Sequence, residues 1–350
     1  MQQHWRDLAN AVRGNHRVCR VVVIEGSPMG TFLVVDPAGT APISDVDLAR
    51  LASEVLTEGR PRAAQVGPLR VYAEPLLPPP QVLIAGGGHV ALALAPAAFA
   101  AGFSVTVVDD RPDYATPARF PDATVLCENM AAALDRLPTG DATFIVLAGR
   151  THELDRDALR VALQKPAAYV GMVGSRRKVA ELQRQLGLSA AALERLRAPI
   201  GLDLGAETPA EIAVAIVAEM ITVRRGCSGA PLSHGHRPSS RRIPCGTVEA
   251  QQVWLALADA LDSGTPCALA TIVQANGSTP RSAGTCMLVR DGAPPVGTVG
   301  GGKWEAEVQR QAAAAWLTGR PAVLRPSYAD EADMVCGGSS EILIEPVVTQ

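Results

Sequence analysis

Gly86, Gly88 and Ala91 stand in the order G-x-G-x-x-A, a form of the dinucleotide fingerprint, within Gly86-Gly-Gly-His-Val-Ala91. Gly86 permits a tight turn, Gly88 lets a pyrophosphate approach the backbone, and the small Ala91 lets helix and strand pack closely. His89 sits inside the same loop. Asp109 and Asp110 follow about 20 residues downstream, where an acidic group would bind a ribose hydroxyl. His152, in Arg150-Thr-His-Glu-Leu-Asp155, offers an imidazole that could act as acid or base. Further on, Gly277-Ser-Thr-Pro-Arg-Ser-Ala-Gly284 supplies hydroxyls and the fixed cation of Arg281, suited to phosphate or an oxyanion. Gly300, Gly301 and Gly302 precede a helical stretch, so their backbone N–H groups can form an anion nest at its positive end. Cys336 is followed by Gly337 and Gly338, which leave its sulfur reachable; a thiolate there is a soft ligand or a carrier of sulfur. The competing reading of Cys336 is a small buried hydrophobe, as expected for Cys286 inside an apolar run and Cys127 at a strand end.

These loops need a scaffold. Residues 82–85 form a short apolar run that reads as a buried parallel strand, followed by a helix over 92–101 and a second strand over 104–108 that ends in Asp109. Further strands are expected over 123–127, 143–148 and 168–173, with helices over 176–186 and 211–223. Thr208-Pro209 supplies a cap and an N1 proline for the last. This alternation predicts an α/β, Rossmann-like, doubly wound parallel sheet over residues 80–226, with His152 at its carboxyl-end crevice. Pro78-Pro79-Pro80 reads as the boundary before it, and the Gly-, Pro-, Ser- and Arg-rich stretch 227–246 as an exposed linker. Residues 247–350 then read as a smaller α+β module, with helices over 248–261 and 304–317 and β-like runs over 267–274, 285–290 and from 340 onward.

An internal repeat links the two ends. Arg20-Val-Val-Val-Ile-Glu-Gly-Ser-Pro-Met-Gly-Thr-Phe-Leu-Val-Val35 parallels the stretch from Ala270 to Val289, Leu56-Thr-Glu-Gly-Arg-Pro61 parallels Leu317-Thr-Gly-Arg-Pro321, and Arg70-Val-Tyr-Ala-Glu-Pro-Leu76 parallels Glu341-Ile-Leu-Ile-Glu-Pro-Val347. Residues 1–77 therefore read as an eroded copy of the module that keeps the fold and lacks counterparts of Arg281, the triple glycine and Cys336.

The totals narrow the function. A net charge of −3 gives no general reason to expect nucleic acid or an anionic membrane as partner. No apolar run approaches the roughly 20 residues of a membrane span. The N-terminus lacks the pattern of a signal peptide, so a cytoplasmic location is expected. Seven cysteines without a C-x-x-C pair suggest neither a disulfide frame nor a structural zinc site.

The chain resembles the xanthine dehydrogenase accessory (XdhC/CoxI) family. The matching strings are Gly277-Ser-Thr-Pro-Arg281, Gly297-Thr-Val-Gly-Gly-Gly302, Met334-Val-Cys-Gly-Gly338 and Ile344-Glu-Pro346, with Gly86-Gly-Gly-His-Val-Ala91, Val107-Val-Asp-Asp-Arg111 and Tyr169-Val-Gly-Met-Val-Gly-Ser-Arg-Arg-Lys178 in the Rossmann part. The stretch Ala198 to Ala213 continues the match. The resemblance implies binding of the molybdenum cofactor, as molybdopterin or its dinucleotide. It also implies help in delivering the sulfurated form to an apo molybdenum hydroxylase such as xanthine or carbon monoxide dehydrogenase, with a cysteine desulfurase as second partner. On this reading Cys336 serves molybdenum or its sulfur, and Arg281 with the Gly300–Gly302 nest and Gly337 holds the anionic part of the cofactor. The chain would be an assembly factor rather than a turnover enzyme; self-association into a homodimer stays open. One departure is order: the family's glycine- and cysteine-bearing domain usually precedes the Rossmann domain, whereas here it follows the linker. The alternative reading is an NAD(P)-dependent oxidoreductase using the Rossmann site, although no Tyr-x-x-x-Lys pair follows the fold.

Overall fold

The computed structural model describes residues 2–36, 46–231, 233, 243, 245–277, 279–327 and 338–348. The chain forms two compact units, one of Pro79–Cys245 and one that joins Met1–Pro78 with Gly246–Gln350.

The first unit holds a six-stranded parallel sheet. Its strands, numbered along the whole chain, are β5 (Gln81–Ala85), β6 (Ser104–Asp109), β7 (Ala123–Cys127), β8 (Thr143–Leu147), β9 (Tyr169–Met172) and β10 (Leu196–Arg197). The spatial order is β10-β9-β8-β5-β6-β7. This is the doubly wound order, with its switch point between β5 and β8, where such folds bind ligands outside the carboxyl ends of the strands. Apolar runs such as Val82–Ala85 and Phe144–Leu147 are buried because helices cover both faces. On one face α3 (His89–Ala100) packs with α8 (Pro209–Arg225); on the other lie α4 (Met130–Arg136), α5 (His152–Gln164) and α6 (Arg176–Leu186). Thr208 and Glu211 close a capping box on α8, whose first residue is Pro209. The short helix α7 (Ala190–Arg195) leads into β10.

The second unit contains two antiparallel sheets. The N-terminal segment gives α1 (Gln2–Arg13), β1 (Val18–Glu25), β2 (Phe32–Val35), α2 (Val46–Glu58), β3 (Arg62–Val66) and β4 (Leu69–Leu76), with strand order β2-β1-β4-β3. The C-terminal segment gives α9 (Val248–Ser263), β11 (Cys267–Asn276), β12 (Cys286–Arg290), β13 (Ala293–Gly297), α10 (Gly302–Thr318), β14 (Ala322–Leu324) and β15 (Ser339–Val348), ordered β13-β12-β11-β15-β14. Apart from the added edge strand β13, the two orders match. Alternation along the strands decides which residues face which layer. Val18, Val22 and Ile24 point into one core shared with Leu269, Val273, Leu288, α1 and α9. Cys19, Val21 and Ala73 face α2, while Ala268, Ala270 and Ile344 face α10. Cys286 is buried in the shared core, and burial pushes its thiol up, as expected for a packing residue, whereas Cys127, expected to be buried as well, is exposed where β7 ends.

Candidate functional site

The chain leaves β5 at Ala85 and turns at Gly86, whose φ of +120° strains any side chain. A Cβ there would also stand 2.3 Å from the Ala148 carbonyl oxygen, at the end of the neighbouring strand. Gly87 is confined as well, because a Cβ on it would meet the Tyr114 carbonyl oxygen at 2.9 Å and Asp109 Cβ at 3.3 Å. Gly88 differs from both. Its φ is −70°, and nothing lies within 4 Å of a Cβ built on it.

Helix α3 begins at His89 with no side chain capping it. In contrast, Asn129, Thr151 and Ser175 cap the starts of α4, α5 and α6 in the same unit. The first N–H groups of α3 therefore remain unpaired by side chains beside the open space at Gly88. A helix start of this kind favours an anion through its donors and its partial positive charge. His89 is exposed as the first residue of α3, and His152 is exposed as the first residue of α5. The two histidines thus open the helices that follow the strands flanking the switch point.

Asp109 lies at the end of β6 and is 2% exposed. Its Oδ2 accepts from Gly87 N–H at 2.7 Å and Arg111 Nη2 at 2.9 Å, and its Oδ1 from Arg111 N–H at 3.0 Å and Arg111 Nε at 2.8 Å. A carboxylate has about four lone-pair positions, so a ribose hydroxyl would have to displace a protein donor. Burial opposes the charge, but the hydrogen bonds from Arg111 and Gly87 outweigh it and bring Asp109 down to about 2. As placed, this carboxylate ties the glycine loop to the end of β6. Asp110 is engaged with Arg150 through two bonds, at 2.5 and 3.1 Å, which link the end of β6 to the loop after β8. Hydrogen bonding to Arg150 lowers its pKa.

Several groups that the sequence does not single out shape this crevice. Arg119 donates to the Gly87 carbonyl oxygen at 3.0 Å, and Arg111 and Arg119 lie over the Tyr114 ring at 3.4 and 4.9 Å. Asp155 is fully buried and accepts from Gly149 N–H at 2.9 Å and from Lys178 Nζ, fixing the loop that leads to His152. His152 also borders an open pocket of about 620 Å³ with Ser175, Arg177, Lys178 and Arg184. The available signal was the Arg directly after two acids in Asp109-Asp110-Arg111.

The other predicted site residues belong to the second unit. Gly300, Gly301 and Gly302 all have positive φ and lead into α10. A Cβ on Gly300 would stand 3.1 Å from Pro280 Cβ, so the Arg281 loop and the triple glycine lie against each other. Arg281 is exposed and has no ion pair with a described residue. The nest already carries one internal anion: Glu305 accepts from Gly301 N–H at 2.9 Å and from the Thr298 hydroxyl at 2.6 Å, while Gly300 N–H donates to Thr298 Oγ1 at 3.1 Å. Cys336 and Gly337 lie outside the described residues, as does most of the stretch read as a linker.

A strand–glycine–helix turn at the switch point of a doubly wound parallel sheet defines the first unit as a Rossmann-like fold. Comparison with known proteins gives the family. The XdhC Rossmann domain matches residues 82–220, and the XdhC and CoxI family matches residues 260–326, together more than half of the chain. The chain belongs to the XdhC and CoxI family. It is 35% identical over 169 residues to the uncharacterized protein YqeB of Escherichia coli, covering 47% of this chain and 31% of that protein. It is 28% identical over 228 residues to a probable xanthine dehydrogenase subunit of Bacillus subtilis, covering 64% of this chain and 66% of that protein. The matched segment thus spans under a third of the first relative's length and just under two thirds of the second's. A crystal structure of a xanthine dehydrogenase from Bacillus halodurans is similar over 62% of this chain and 93% of its own, with 19% identity and a TM-score of 0.40. Among the described residues no helix is long and apolar enough to cross a membrane.

Proposed function

We propose that the chain is an accessory factor for maturation of a molybdenum hydroxylase and holds the molybdenum cofactor, as molybdopterin or its dinucleotide, by a phosphate at Gly88. The observation that carries this reading is the start of α3, uncapped by any side chain beside a glycine whose Cβ position is empty. Such a start fits a phosphate group: donors are available, and no side chain fills the approach. Family membership supports the client class, as does similarity to a protein named as a probable xanthine dehydrogenase subunit. The bound cofactor would bring the molybdenum–pterin centre. This chain's own work is to hold its anionic part at the Gly88 backbone of the first unit, while Arg281, exposed beside the Gly300–Gly302 loop, is a separate anion-binding candidate of the second unit. Cys336 is the group proposed to meet molybdenum or to carry sulfur from a cysteine desulfurase, in the cytoplasm.

Cys336→Ser is expected to keep the fold and to lower cofactor retention or leave the client enzyme desulfurated and inactive. Cys286→Ser is expected to change stability alone, by about 1–3 kcal/mol, because it buries an unpaired hydroxyl. Client activity reconstituted with each variant, beside its unfolding curve, checks both outcomes. Full client activation by the Cys336→Ser chain would remove the cysteine from the proposal.

A further inference from the structure

The two sheets of the second unit correspond residue by residue. Strand pairing sets Cys19 opposite Pro75 and Arg20 opposite Glu74, just as it sets Ala268 opposite Pro346 and Leu269 opposite Glu345. Both central strands are irregular at the same place, between Val23 and Glu25 and between Ile272 and Gln274. The same spacing runs back into the helices: Gln2-Gln3, Trp5, Leu8 and Ala9 correspond to Gln251-Gln252, Trp254, Leu257 and Ala258. Helix α1 packs on α9, its own counterpart. The contacts are reciprocal too. A Cβ on Gly30 would stand 2.9 Å from Pro321 Cγ, and one on Gly284 would stand 2.9 Å from Pro61 Cγ. Gly30 corresponds to Gly284 and Pro61 to Pro321, so residue i meets j while the counterpart of j meets the counterpart of i. This is the signature of an isologous, two-fold interface.

Charge breaks the symmetry. Arg13 corresponds to Asp262, and the two pair at 2.5 Å. Arg70 corresponds to Glu341, and they pair at 2.9 Å. Arg20 corresponds to Leu269. Its guanidinium, fully buried, donates to Glu74 at 2.5 Å and to Glu345, two carboxyl groups that correspond to each other. In the Arg13 and Arg20 pairs the cation belongs to the N-terminal segment, whereas Glu341 is also paired at 2.8 Å with Arg325 of its own segment.

We propose that residues 2–77 occupy the place of the second protomer in a two-fold dimer of the 247–350 module, with Arg20 as the counter-ion shared across the pseudo-axis. The partner for this face of the C-terminal module is therefore built into the chain. A second 247–350 module seated there would set Asp262 against Asp262 and would bury two Glu345 carboxyls without a cation. Like charges in contact and an unpaired buried charge are the elements that reject a wrong partner. This pairing is independent of cofactor binding, since it involves the shared core of the second unit alone.

The test moves the cation across the pseudo-axis in the full chain. Arg20→Leu copies the residue at 269 and leaves two buried carboxyls, so its urea midpoint should fall by more than about 1 M. Adding Leu269→Arg returns a guanidinium from the symmetry-related strand position, and the R20L/L269R chain should regain at least half of that loss. A role confined to local packing predicts the reverse, because a second substitution would place a new charge in an apolar core. A double variant that unfolds at or below the midpoint of R20L overturns the proposal. Where R20L does not fold at all, a folded double variant supports the proposal and an unfolded one overturns it.

Discussion

Gly88→Val is expected to leave the fold intact and to weaken binding of a nucleotide-bearing ligand by more than a hundredfold, about 3 kcal/mol or more. The two parts of this expectation have separate causes. The backbone at Gly88 is in the extended region that valine accepts, and no atom lies within 4 Å of the Cβ position. Stability should therefore stay within about 1 kcal/mol of the parent. The branched side chain, however, fills the space through which a phosphate must reach the first N–H groups of α3. Gly86→Val gives the internal contrast. A φ of +120° and a clash at 2.3 Å with the Ala148 carbonyl make that substitution a folding defect. Calorimetry with molybdopterin dinucleotide on the parent and the Gly88→Val chain, beside unfolding curves for all three proteins, separates the effects. Equal affinity in parent and Gly88→Val would move the phosphate elsewhere.

Asp109→Asn is expected to cost about 2–3 kcal/mol of stability at neutral pH, because it removes the charge that the partly exposed Arg111 pairs with and turns an amide donor toward donors. Four hydrogen bonds converge on this carboxylate, from Gly87 and Arg111. The sign of the pH dependence follows from the lowered pKa. Asp109 falls to about 2 in the folded chain, below its value in the unfolded chain, so the folded state favours the ionised form. Its stabilisation is complete above the ordinary carboxylate range and is lost as the pH falls from about 4 toward 2. Urea unfolding at a series of pH values should show parent and variant converging across that window. A stability gap of the same size at pH 6 and pH 2 would contradict this account of Asp109.

Much of the first unit was legible because its signals are local. Strand 123–127 and helix 176–186 coincide with β7 and α6: the first is a short apolar run, and the second is a polar, amphipathic stretch bounded by Ser175 and Gly187. Helix α3 begins at His89 rather than 92, because small, uncapped residues give no start signal. β10, at two residues, is too short to show a period, and β13 hides behind Pro294-Pro295, which an edge strand tolerates. The repeat was legible in the strands, but the joining of the two segments in one core was not, because burial of α1 against α9 is set by the tertiary fold. The Gln-Gln-x-Trp-x-x-Leu-Ala pattern shared by those helices was the missed signal. In the crevice, Gly86 and Gly88 were readable from spacing. The engagement of Asp109 by Arg111 was not, since it depends on how the chain folds back after β6.

The proposed role of this chain is to carry the molybdenum cofactor for a client hydroxylase by holding its phosphate at Gly88. The most direct test is the molybdenum, pterin and nucleotide content of the full chain purified from a molybdenum-replete host, measured beside the Gly88→Val chain. The expected result is a pterin–molybdenum chromophore with its nucleotide in the parent, approaching one per chain, and its loss from the variant. A parent protein free of pterin and nucleotide that also fails to take up molybdopterin dinucleotide, or one that turns over NAD(P) instead, would contradict the account.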